Sequence, residues 1–159
     1  RLQSLTSQRF ETFWNQLPPS YIGNKLAILG SEQPLNFGCL PCKHSCHFIS
    51  NSKDSLREAK SLGFNISTIL KNYYDIIVLE LTKSKETNLG LLALAEEYLR
   101  EGGKMIINGD NQVGVKNFLK NISSHWPAEI TVIKKKGRIA LYQKKNGYSS
   151  TGKDIKIFA

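Results

Sequence analysis

Tyr73-Tyr-Asp-Ile-Ile-Val-Leu-Glu-Leu-Thr82, Arg100-Glu-Gly-Gly-Lys-Met-Ile-Ile-Asn-Gly109 and Gly114-Val-Lys-Asn-Phe-Leu-Lys-Asn-Ile122 decide how this chain folds. Ile76, Ile77, Val78 and Leu79 form a short continuous apolar run, the pattern of a strand buried on both faces of a parallel sheet. Leu91, Leu92, Leu94, Ala95, Tyr98 and Leu99 recur at helical spacing, which gives the next segment one apolar face. Gly102 and Gly103 read as the stop of that helix, because glycine accepts the left-handed conformation of a C-terminal cap. Met105, Ile106 and Ile107 make the following strand, and Val115, Phe118, Leu119 and Ile122 the inward face of a helix ended by Pro127. Two strands joined through a helix by short connections form a right-handed crossover and lie parallel. The expectation is an α/β sandwich.

The flanking segments extend this pattern. Phe10, Phe13, Trp14 and Leu17 follow helical spacing up to Pro18-Pro19, and their aromatic face suits core packing. Lys25 to Gly30 is a first strand, His47 to Ser50 a second, Ser55 to Leu62 a helix capped by Gly63, and Ile66 to Leu70 a short strand. Asp54 falls in the first turn of that helix, where a carboxylate suits the dipole. Glu129 to Ile133 and Ile139 to Tyr142 alternate, and Lys134-Lys-Lys-Gly-Arg138 joins them as a tight turn. The sheet therefore ends in an antiparallel hairpin. Residues 1–145 read as one domain, and 146–159 as a linker or the start of a following segment.

The chain has 159 residues, 40% of them hydrophobic, enough for one domain with a real core. No apolar run approaches the roughly 20 residues of a membrane helix, and no apolar signal region follows Arg1. A cytoplasmic chain without membrane contact is expected. The net charge is +9, and its distribution is uneven. From Lys104 onward there are 11 Lys/Arg against 3 Asp/Glu, whereas the first 103 residues carry 11 against 10. A basic last third suits a polyanion, RNA above all, and equally suits a solvated lysine surface.

The order of elements resembles a Rossmann-like class I methyltransferase sandwich, a mostly parallel sheet ending in an antiparallel hairpin. Tyr74 to Lys145 is further similar to the N-terminal, methyltransferase-like domain of the small-subunit rRNA guanine-N2 methyltransferases of the "methyltransferase small" group. The residues that carry this are Asp75-Ile-Ile-Val-Leu79, Lys83, Lys85, Glu86 and Asn88, then Gly102-Gly103-x-Met-Ile-Ile-x-Gly109, Gly114-Val115-x-Asn-Phe-Leu-Lys120 and Lys136-Gly137-Arg138. Members of that group carry two such domains in tandem. The resemblance implies that the C-terminal copy holds the S-adenosylmethionine (SAM) loop and an Asn-Pro-Pro-aromatic motif for the target base, and that the N-terminal copy lacks both. This chain departs from an active copy at the same places. Its first turn, Gly30-Ser-Glu-Gln-Pro-Leu-Asn-Phe-Gly38, is not glycine-rich, so it offers no close backbone approach to a cofactor. Asn51 and Ser52 stand where an acidic ribose ligand would, and Glu80-Leu-Thr-Lys83 stands where Asn-Pro-Pro would. The resemblance thus implies a domain with no catalytic residue and no bound cofactor. It supports a C-terminal catalytic domain that uses SAM, or helps to hold small-subunit rRNA. If such a domain docks here, an exposed apolar patch is expected. A free-standing RNA-binding or protein-interaction module is the alternative.

Two groups of cations are candidate RNA contacts. Lys134, Lys135, Lys136 and Arg138 crowd a hairpin tip that can reach a phosphate backbone, or simply resist edge aggregation. Lys83 and Lys85 lie just past the C-terminal end of a parallel strand, the edge where open α/β sheets bind ligands. All three cysteines and two of three histidines fall in Cys39-Leu-Pro-Cys42-Lys-His44-Ser-Cys46-His47. Cys39, Cys42 and Cys46 with His44 or His47 could complete a tetrahedral zinc site, the basis of a small zinc-binding domain as a third reading. With no second half-site in the sequence, reduced thiols in a loop and no metal are expected. His125 beside Trp126 at a helix end is read as structural.

Overall fold

A computed structural model describes residues 3–22, 24–123 and 125–145. The expected linker, 146–159, lies outside the described residues. Seven strands form one sheet: β1 (Leu26–Leu29), β2 (Cys46–Ile49), β3 (Asn65–Ser67), β4 (Tyr74–Glu80), β5 (Leu99–Asp110), β6 (Ala128–Lys134) and β7 (Gly137–Gln143). Their order is β3-β2-β1-β4-β5-β7-β6. Strands β1 to β5 are mutually parallel, and β7 runs antiparallel to both β5 and β6. The order reverses between β1 and β4, which makes the C-terminal ends of those two strands the switch point.

Among the described residues, four α-helices cover the sheet: α1 (Leu5–Asn15), α2 (Lys53–Ser61), α3 (Lys85–Tyr98) and α4 (Val115–Ile122). The apolar run of β4 is buried on both faces, as its composition predicts. Ile76 and Val78 pack with Phe10, Phe13 and Trp14 of α1 and Ala59 of α2. Ile77 and Leu79 pack with Leu89, Leu92 and Ala95 of α3 and with Phe118 and Ile122 of α4. Ser4 caps α1 by accepting the Ser7 N–H, and Ser52 and Ser84 cap α2 and α3 in the same way. Asp54 does lie in the first turn of α2, and the chain turns at Gly63 after it.

Two expectations need correction. The helix α3 ends at Tyr98 without help from glycine, because Leu99 turns extended directly and begins β5. Gly102 and Gly103 lie inside β5, where the register against β4 slips between Tyr74 and Ile76. Gly102 takes φ 77° there, and its N–H bonds the Lys144 carbonyl at 2.8 Å. The glycine pair therefore accommodates a bulge rather than a cap. The strand expected over Ile66 to Leu70 is Asn65–Ser67 instead, and only residues 68–73 connect it to β4.

That short connection has a consequence. A doubly wound sheet normally returns from β3 to β4 through a helix on the α3 side. Residues 68–73 hold no helix, so β2 and β3 are less covered on this side than β1, whose Ala27 and Leu29 are buried. Ile69 and Leu94, which line one cleft there, are 62% and 41% exposed. Among the described residues, no helix is long and apolar enough to cross a membrane.

Candidate functional site

The C-terminal edge of the parallel strands gathers the groups of interest. Gly30, just past β1, has φ 82°, and a β-carbon there would collide with the Glu80 carbonyl oxygen and the Leu91 side chain. Glycine is thus required for β1 to turn away beneath the end of β4. The turn then closes on itself. Ser31 Oγ accepts the Gln33 N–H at 3.1 Å, and Pro34, which has no N–H, opens a 3-10 turn over Pro34–Phe37. On β2, the Ser50 hydroxyl accepts the Ser52 N–H at 3.0 Å.

A cleft of about 510 Å³ lies at this switch point, lined by Gly30, Ser31, Ile49, Asn51, Ile69 and Thr82 among others, and extends along Leu91, Leu94 and Tyr98 of α3. Its lining departs from that expected of a SAM site. The first turn directs its Gln33 N–H to Ser31 rather than outward, and no carboxylate ends β2.

On the other face of the same edge lies a polar cluster that the sequence did not announce. Arg9 of α1, with a fully buried side chain, pairs with Asp110 at the end of β5. Thr6 donates its hydroxyl to the same carboxylate at 3.0 Å, and Asn108 donates from Nδ2 to the Thr6 carbonyl at 3.2 Å. Gly137, opposite Asp110 on β7, leaves the space in which the Arg9 guanidinium sits. Beside this group, Asn36 Nδ2 donates across both oxygens of Glu80, at 3.3 and 3.2 Å. Burial pushes the Glu80 carboxyl up to about 7; hydrogen bonds from Asn36 and Ser31 pull it down, the Asp110 charge raises it and Arg9 lowers it. The partners in this cluster are as many as 104 residues apart in sequence, so no local spacing could reveal them.

The predicted cations come to one edge but not as one patch. Lys83 and Lys85 are exposed after β4 and at the first position of α3. Because β7 runs antiparallel, its start lies beside the end of β5, where Gly137 pairs with Asp110. The hairpin tip therefore shares the C-terminal edge. Lys134, Lys135 and Lys136 are exposed there, and Lys135 and Lys136 form a two-residue turn with φ 53° and 57°. The Lys136 carbonyl accepts the Asn111 N–H at 2.9 Å, which ties the tip to the loop after β5. Arg138 differs from the lysines: it is half-buried within β7 opposite Gly109.

The cysteine segment spreads out. Cys42 is exposed with φ 54°, Cys39 is half-buried, and Cys46 is buried in the core facing α1 and α2. Burial pushes the thiols of Cys39 and Cys46 up to about 11. Neighbouring residues on a strand point to opposite faces, so His47 is turned away from Cys46, and its Nδ1 meets the Tyr74 hydroxyl at 2.9 Å. Among the described residues, no three His, Cys, Asp or Glu side chains converge where a metal ion could be held.

No protein-family model matches this sequence, and no curated protein matches it. Solved structures do match in fold. The 16S rRNA N2 guanine methyltransferase (RsmC) of T. thermophilus, in complex with AdoMet and guanosine, superposes with a TM-score of 0.73 at 19% identity. That match covers 94% of this chain but 41% of the other, so this chain spans less than half the length of that neighbour. The ribosomal protein L11 methylase of Lactobacillus delbrueckii subsp. bulgaricus has a TM-score of 0.61 at 13% identity, covering 89% of this chain and 78% of that one. The N-methyltransferase NodS of Bradyrhizobium japonicum, with S-adenosyl-L-homocysteine, has a TM-score of 0.68 at 10% identity, covering 89% of each. The fold of this chain is that of the class I SAM-dependent methyltransferases.

Proposed function

We propose that this chain is a catalytically vacant copy of the methyltransferase fold, the N-terminal half of a tandem SAM-dependent rRNA guanine methyltransferase. It serves the catalytic half by docking to it and by holding RNA. The observation that carries this reading is the chemistry at the switch point. The fold is kept to the end of every strand, while the turn after β1 is closed by Ser31 and Pro34, and Glu80-Leu81-Thr82 ends β4. Two further features support it. The chain matches 41% of the length of the RsmC neighbour, which leaves room there for a second domain. Ile69 and Leu94, exposed apolar residues that line one cleft, are where a docked domain would cover this chain. Lys134, Lys135 and Lys136, with Lys83 and Lys85, are the RNA contacts in this reading, while half-buried Arg138 supports the hairpin from within. No metal has a part in it.

Calorimetric titration of SAM into the purified chain tests the vacancy, and the 510 Å³ cleft makes the test a real one. No heat at millimolar ligand is expected. Saturable micromolar binding would make this domain a cofactor-binding enzyme and overturn the reading. Replacing Lys134, Lys135 and Lys136 by Ala should flatten the salt dependence of RNA binding. An unchanged slope would remove the hairpin from the interface.

A further inference from the structure

The basic last third of the sequence is not exhausted by the hairpin. Among its described cations, Lys104 pairs with Glu129, Lys144 donates to the carbonyls of Glu96 and Leu99, and Lys145 follows it at the opposite edge. Arg138 is half-buried in β7, and Lys134, Lys135 and Lys136 form the tip. Lys116 and Lys120 remain, both exposed on α4. Val115, Phe118, Leu119 and Ile122 turn one side of α4 into the core, so Lys116 and Lys120 share the side that faces water. The helix holds no carboxylate to pair with them. Two like charges one turn apart repel, and Lys116 stands in the first turn, where the helix dipole opposes a cation. A polyanion along this side offsets both costs.

The course of the chain joins α4 to the tip. The Asn111 N–H is bonded to the Lys136 carbonyl at 2.9 Å, and the Asn111 carbonyl accepts the Gly114 N–H at 3.1 Å. One short turn, Asn111–Val113, thus separates the tip from the start of α4, and Asn111 and Gln112 are exposed in it. The carboxylate that precedes this turn, Asp110, is paired with Arg9. From the edge, α4 carries Lys120 about 6 Å beyond Lys116 along the helix axis, close to one phosphate step of an extended strand. A line of cations one residue wide suits one strand rather than the two of a duplex.

We propose that a single strand of RNA runs from the hairpin tip over the Asn111–Val113 turn and along the outer side of α4, where Lys116 and Lys120 meet consecutive phosphates. This inference rests on the RNA-binding reading above and gives the bound strand a direction. The strand leaves the tip over the face of the sheet that α3 and α4 cover, away from α1 and α2. Phosphate contacts position a strand without reading its sequence, so the track accepts any bases.

The test uses the whole chain and a fluorescently labelled uridine decamer, titrated over a range of salt. Lys116→Gln with Lys120→Gln should lower the slope of log K against log salt by about 1.4, two phosphates at about 0.7 each. Replacing Lys134, Lys135 and Lys136 by Ala should lower it by about 2.1, and all five changes together by about 3.5, with one RNA bound per chain. Those losses add only when both groups hold the same strand. Lys53→Gln with Lys60→Gln removes the same charge from the exposed side of α2, across the sheet, and should leave the slope unchanged. Circular dichroism checks that each variant is folded. A slope unmoved by the α4 pair, an equal fall from the α2 pair, or two RNAs per chain would each overturn the inference. If only the tip substitutions move the slope, the track falls and the RNA reading stands. If the parent chain does not bind the decamer, both fall.

Discussion

Replacing Lys135-Lys136 by Asn-Gly should stabilise this protein and weaken its hold on RNA at once. The two residues are the central pair of a hairpin turn between Lys134 and Gly137, and both have positive φ, 53° and 57°. Such a turn follows the right-handed twist of the strands and favours Asn-Gly. For an ordinary L residue the left-handed region costs about 1–2 kcal/mol. Glycine at 136 removes that cost but frees the unfolded chain by about 0.4–1 kcal/mol, and asparagine at 135 recovers only part. The net expectation is about 1 kcal/mol of added stability. For a chain of this size that raises the melting temperature by about 2–4 °C. Thermal unfolding by circular dichroism reads it. The same variant loses two exposed cations, so its slope of log K against log salt for single-stranded RNA should flatten by about 1.4 if each lysine meets one phosphate. A melting temperature that stays or falls would refute the reasoning about the turn. A slope that does not move would refute the assignment of the turn to RNA.

Other consequences follow from the same edge and from the cysteine segment. Arg9→Met takes the cation from Asp110, whose carboxylate is 41% exposed and keeps the Thr6 hydroxyl, and should cost about 1–3 kcal/mol in urea unfolding, with the slope of the transition unchanged. Glu80 has a folded pKa of about 7 against an ordinary 4.5, so the folded state binds its proton more tightly. Stability should therefore fall as pH rises from 4.5 to about 7, by up to about 3 kcal/mol, and then level off. Glu80→Gln should remove that fall, which urea titrations at pH 5 and pH 8 would show. A bulky maleimide at pH 7.5 should label Cys42 rapidly, while the half-buried Cys39 and buried Cys46, with thiols held up to about 11, react only on unfolding. Metal analysis of the protein purified without a His tag should find less than about a tenth of an equivalent of zinc.

The parts of the fold legible in sequence were those with a local cause. The run Ile76 to Leu79 specifies a strand covered on both sides, and the spacing of Phe10, Phe13 and Trp14 specifies which face of α1 is buried. Lys134 to Gly137 specifies a turn, because two alternating strands flank it. Gly102 and Gly103 misled because a left-handed glycine serves a helix cap and a strand bulge equally well. The choice depended on a register slip against Tyr74, which lies on another strand. The missing β3–β4 helix was legible only as a short interval between strands. The site was less legible for the same reason. Lys83 and Lys85 could be placed at a strand end, but that the hairpin lysines share their edge follows from β7 running antiparallel to β5. The pairing of Arg9 with Asp110 and of Asn36 with Glu80 depends on the closed fold, and neither has a signature in the residues alone.

The distribution of strained and imperfect groups is itself an argument about where function lies. At the N-terminal edge of the parallel strands, Asp75 accepts the Lys25 N–H at 2.9 Å and pairs with Arg100, and burial there is matched by partners. The C-terminal edge is different. Lys135 and Lys136 hold unfavourable backbone angles, and the carboxyl of Glu80 is half-buried in a place that resists its charge. Arg9 Nε, Asn108 Oδ1 and Arg138 Nε are buried there without a hydrogen-bond partner. Each of these costs stability, and hydrophobic or glycine substitutes would be cheaper for the fold alone. A sequence breaks its local rules mainly where a site requires it. Cys42 holds φ 54° at the opposite edge, ahead of β2, so backbone strain alone does not single out this edge; the linked buried polar groups Arg9, Asp110, Asn108, Asn36 and Glu80 do.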